Sequence, residues 1–97
     1  MNDDARGHFE KGRWVRERVT VRLLKYGLAE ESVAISPQEA WRIAERFSAS
    51  GEGYPEYIDI DGRRIYLGLH AREHGGIAES MRILHDEYGV DTNRRDA

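Results

Sequence analysis

The sequence predicts an α+β two-layer sandwich: a small antiparallel sheet of about three or four strands with two helices on one face, in the order β(β)αββα. Three observations predict it. Apolar and polar residues alternate along residues 15–23, Ser36-Pro37-Gln38-Glu39 spells a helix start, and Asp61-Gly62 separates two alternating runs.

Val15, Val19, Val21 and Leu23 alternate with Arg16, Arg18, Thr20 and Arg22, the pattern of a strand with one buried and one wet face. Glu17 interrupts the apolar side, so firm burial is expected from Val19. After Tyr26-Gly27 the chain is expected to turn back through a short strand at residues 32–35. Ser36 then caps a helix, Pro37 occupies a first-turn position where its missing N–H costs nothing, and Glu39 completes a capping box. Ala40, Ile43, Ala44 and Phe47 fall on one face of that helix, with Trp41 beside them.

The runs 57–60 and 63–69 flank Asp61-Gly62, a pair suited to the two positive φ angles of a type I′ hairpin turn. That turn fixes the register: Ile60 faces Arg63, Asp59 faces Arg64, Ile58 faces Ile65 and Tyr57 faces Tyr66. Ile58, Ile60, Ile65, Leu67 and Leu69 then share the core face, and Tyr57, Asp59, Arg64 and Tyr66 the other. A second helix is expected from Ala71 or Ile77 to Tyr88. Ile77, Met81, Leu84 and Tyr88 form its inner stripe, and Gly89 ends it in the left-handed conformation. Residues 1–12 read as a flexible arm, 13–90 as a single α+β domain and 91–97 as a flexible tail.

Charge is segregated along the chain. Residues 5–26 carry seven basic against two acidic residues, a net +5, whereas residues 27–97 carry eight against fourteen, a net −6. Clustered like charge raises a local field that scattered charge would cancel. Arg outnumbers Lys thirteen to two, which favours bidentate and stacked contacts. The absence of cysteine excludes disulfides, thiolate metal sites and a cysteine nucleophile, and points to the cytoplasm. The polar residues 1–6 lead into no apolar run, so neither a signal peptide nor a membrane contact is expected.

With both helices on one side, the open side of the sheet would display Trp14, Arg16, Arg18 and Arg22 with Tyr57, Arg64 and Tyr66. Arginine and tyrosine are enriched at protein interfaces, and the acidic pI near 5.8 argues against binding through backbone phosphates. The reading is therefore a non-catalytic binding module, a regulator or inhibitor with a protein partner and no cofactor. A homodimer through the first strand, taken as a sheet edge, fits the same reading. The alternative is a single-stranded RNA or DNA binder that pairs phosphates with arginine and stacks bases on the same tyrosines. A bland reading also accounts for the face, as a Tyr57–Tyr66 cross-strand pair and an Asp59–Arg64 ion pair.

His70-Ala71-Arg72-Glu73-His74 spells the H-x-x-E-H order of inverted zincins, in which two histidines bind zinc and the glutamate acts as base. A zinc hydrolase built on His70, Glu73 and His74 is the distant third reading, because Gly75-Gly76 interrupts the motif. Its plainer role is for Glu73 or His74 to match the first turn of the second helix.

Overall fold

The computed structural model describes residues 18–93 throughout, and residues 8–10 and 13–15 as backbone only. The elements are β1 (His8–Glu10), β2 (Arg13–Val15), β3 (Val19–Lys25), β4 (Leu28–Ala34), α1 (Pro37–Ser50), β5 (Gly53–Ile60), β6 (Arg63–Tyr66), a 3₁₀ segment (Leu69–His74) and α2 (Ile77–Tyr88). β1 and β2 pair antiparallel as a separate two-stranded sheet. The other strands form an open antiparallel sheet in the order β4-β3-β5-β6, with both helices on one face.

The expected first strand is thus divided, with Arg13–Val15 in β2 and Val19–Lys25 in β3. β3 is also not an edge. It pairs with β4 on one side and β5 on the other, so a homodimer through this strand has no free backbone edge to use. The reason is local: Tyr26 and Gly27 take φ of 51° and 80°, a two-residue turn that folds β4 straight back and leaves the other side of β3 to β5. The return strand accordingly begins at Leu28, earlier than expected.

The core lies between sheet and helices. Val19, Val21 and Leu23 from β3, Ile58 and Ile60 from β5 and Ile65 from β6 meet Ala40 and Ala44 of α1, Leu84 of α2 and Val90. Ser36 Oγ accepts from Glu39 N–H at 3.1 Å, and the Glu39 carboxylate accepts from Ile35 N–H at 2.8 Å, which satisfies two donors at the start of α1. Asp61 and Gly62 both have positive φ, and the β5–β6 register is the one that the turn requires. At the far end, Gln38 on α1 pairs through both its amide groups with the Asp91 backbone, fixing the segment after α2.

Two core expectations are corrected. β6 ends at Tyr66, and Leu69 opens the 3₁₀ segment with its side chain exposed. Ile77 is 46% exposed, because the first turn of α2 faces the mouth of a groove between the helices, lined also by Trp41, Tyr54 and Met81. Ser80 is buried in its place beside Leu84, which is buried as expected, and Ser80 Oγ donates to Tyr66 O at 2.6 Å. Leu84→Ala should therefore cost about 2–5 kcal/mol of stability and Ile77→Ala less than about 1 kcal/mol; urea unfolding of both variants reads the difference.

On the outer side of α2, Arg82 lies 2.7 Å from Glu79 and 3.5 Å from Asp86. The Arg82 hydrogen bond holds the Glu79 carboxyl below its ordinary range, while His85 first and Arg82 second do the same for Asp86. A carboxyl whose folded pKa is depressed contributes stability above its unfolded pKa, about 4, and loses it as pH falls through the folded value. Thermal stability should therefore drop more in wild type than in Arg82→Gln between about pH 5 and about pH 3, as followed by circular dichroism.

Candidate binding cleft on the open face

The side of the sheet away from the helices is organised around Tyr57. β3 lies directly beside β5, so Arg22 stands opposite Tyr57, and the hairpin places Tyr66 on its other side. The Arg22 Nε–H donates to the Tyr57 hydroxyl at 3.4 Å, and its guanidinium lies 5.8 Å from the ring centroid. Arg64 covers the ring more closely, at 4.5 Å, and Tyr66 meets it edge to face at 5.6 Å. These contacts leave Tyr57 only 6% exposed. A phenol wrapped by two guanidinium groups gains cation–π attraction on a large buried ring.

A β-bulge extends this cluster into a cleft. The β3–β5 register shifts between Arg22, opposite Tyr57, and Leu23, opposite Pro55, which leaves Glu56 as the extra residue. Glu56 and Tyr57 consequently both line the cleft, which strict alternation would forbid. The Glu56 carbonyl accepts from both Leu67 and Gly68 N–H groups, fixing the chain that leaves β6. From there the 3₁₀ segment brings His74 flat onto the Tyr66 ring at 4.3 Å, with His70 toward its edge at 6.1 Å. The resulting cleft is about 310 Å³, lined by Arg22, Glu56, Tyr57, Arg64, Tyr66, His70, Glu73 and His74.

The two arginines are loosely committed to carboxylates. Arg64 Nε is 3.7 Å from Asp59, and among the described residues no carboxylate lies within ion-pair distance of Arg22. Their pKa values are raised chiefly by hydrogen bonding to tyrosine hydroxyls, Tyr57 for Arg22 and Tyr66 for Arg64. Both heads line the cleft and, as arginines, are charged at any accessible pH.

The structure brings Arg22, Tyr57, Arg64 and Tyr66 together. Arg18 is exposed at the start of β3, its carbonyl accepting from Asp61 N–H, and stands about 13 Å along the strand from Arg22. Trp14 falls in β2, opposite Phe9, and Arg16 lies outside the described residues. The Tyr57–Tyr66 and Asp59–Arg64 pairs of the bland reading are present too.

His70 and Glu73 approach each other at 3.6 Å, while His74 packs on Tyr66 and does not serve α2, whose cap, Gly76, has no side chain to offer. Among the described residues no group of three or more His, Asp or Glu is placed to hold a metal ion. Sequence reasoning missed Glu56 and the histidines as neighbours of the tyrosines. Pro55 within a strand was the available signal for the bulge, since proline in a sheet favours bulges and edges.

Tyr57→Ala should cost about 3–5 kcal/mol, as for a buried aromatic, whereas Tyr57→Phe, which removes only a long hydrogen bond, should cost about 1 kcal/mol or less; chemical unfolding of the two variants distinguishes ring packing from hydroxyl bonding. No protein family, curated protein sequence or solved structure matches this chain.

Proposed function

We propose that the protein is a non-catalytic binding module that engages an acidic segment of a protein partner through the Arg22–Tyr57–Arg64 cleft. The observation that carries this reading is the state of Tyr57: its ring is covered, while the two guanidinium groups that cover it turn toward an open cleft. Guanidinium groups stacked on an aromatic are positioned in advance, so a carboxylate that pairs with them costs little further ordering. Arg22 adds the stronger attraction, because among the described residues no carboxylate lies within ion-pair distance of it, although Glu31 stands opposite it on β4.

Single-stranded nucleic acid draws less support from the same residues. Base stacking needs open aromatic faces, and here Arg64 lies over Tyr57 and His74 over Tyr66. Glu56 and Glu73 at the cleft also oppose a run of phosphates, whereas a partner with a few placed carboxylates can avoid them.

The test is an NMR titration of the whole chain with a short end-blocked peptide carrying two glutamates among glycine and serine and, separately, with oligo-dT, at low and physiological salt. Shifts confined to Arg22, Tyr57, Arg64, Tyr66 and His74 with the peptide, and lost in Arg22→Gln/Arg64→Gln, are expected. Binding of oligo-dT at the same residues, weakening steeply with salt, would put the nucleic-acid reading first.

A further inference from the structure

β4 is the outer strand on one side of the sheet, and nothing among the described residues pairs with its free edge. The opposite outer strand, β6, is short, and α2 reaches over it, with Ser80 Oγ bonded to Tyr66 O. Among the described residues β4 has no such cover. It is seven residues long, and only Ala34 within it is buried. In a hairpin closed by two residues, Lys25 and Leu28 form the hydrogen-bonded pair next to the turn. Ladder alternation then directs the N–H and C=O groups of Ala29, Glu31 and Val33 outward.

The side chains around this edge are unusual for plain surface. Of the six large hydrophobic residues exposed among the described residues, Tyr26, Leu28, Val33 and Ile35 lie on β4 or next to its ends. Glu30 and Glu31 stand between them and project to opposite faces: Glu30 shares the helix-side face with Leu28, and Glu31 shares the open face with Val33. Exposed backbone and apolar flanks are the parts of a strand-addition site, and the charged pair at the centre restricts which strand can pair there.

Charge decides the occupant. Antiparallel pairing of two copies centred on β4 sets Glu31 against Glu31, and the adjacent register that keeps the same backbone groups facing sets Glu30 against Glu30. Like charges directly opposite destabilise a strand pair, so β4 resists its own copy and favours a basic strand. We infer that β4 accepts an extended segment of a protein partner, added antiparallel, with the order apolar-x-basic-basic-x-apolar. The two basic residues meet Glu31 and Glu30 on opposite faces, and the apolar residues meet Val33 and Leu28. This surface adjoins the cleft where Glu31 stands opposite Arg22, but the inference does not depend on Arg22 or Arg64 binding anything.

The probe is the end-blocked hexapeptide Val-Thr-Arg-Arg-Thr-Val, added to the whole chain, with amide hydrogen exchange followed by NMR. Slowed exchange at Ala29, Glu31 and Val33 is expected. Glu30→Lys/Glu31→Lys should weaken the peptide by about tenfold or more and should instead protect the same backbone positions with Val-Thr-Glu-Glu-Thr-Val, a gain that also shows the variant is folded. Arg22→Gln/Arg64→Gln should leave binding of the arginine peptide in place. Three results would overturn the inference: no protection along β4, protection indifferent to the charge reversal, or a concentration-dependent dimer protecting β4 without peptide, which would make a second copy the occupant.

Discussion

Pairing of β3 with β5 joins two hairpins, each too small to stand in water alone, into one sheet with a helix-covered face. It is the non-local contact on which the rest is built. On the inner side it sets Val19 and Val21 beside Ile60 and Ile58, the centre of the core. On the outer side the same register sets Arg22 beside Tyr57. A slip of one residue would exchange the two faces, placing arginine in the core and valine in the cleft. Core stability and cleft geometry are therefore consequences of one register.

The bulge at Glu56 breaks the regularity of that pairing. Before it, the sheet alternates inward and outward; at it, two successive residues face outward, and the Glu56 carbonyl anchors the chain that follows β6. The chain then enters the 3₁₀ segment at a position that carries His70 and His74 to Tyr66. An irregularity of one residue in β5 thus helps to shape the far wall of the cleft. α2, which follows, supplies Leu84 to the core and Ser80 to the backbone of β6.

The two sides of the sheet edge are consequently unequal. Among the described residues, β6 is short with its Tyr66 carbonyl bonded to α2, and β4 is longer with its outer edge unpaired. The charges are divided between different surfaces as well: arginines at the cleft, adjacent glutamates on β4. The proposed cleft and the proposed strand site would therefore select partners of opposite charge, and Arg22, opposite Glu31, is where the two surfaces approach.

By itself the sequence determined what depends on neighbours in the chain: the capped start of α1, the two-residue turn at Asp61-Gly62, the β5–β6 register with its Tyr57–Tyr66 and Asp59–Arg64 pairs, and the left-handed stop at Gly89. Each follows from local backbone preference or a short-range hydrogen bond. The tertiary structure alone decided that β3 is interior, that Glu56 bulges, that Ile77 and Leu69 stay exposed and that the histidines flank Tyr66. Those outcomes depend on which distant segments compete for one hydrophobic face, and apolar periodicity gives the side a residue faces without giving the neighbour it meets there.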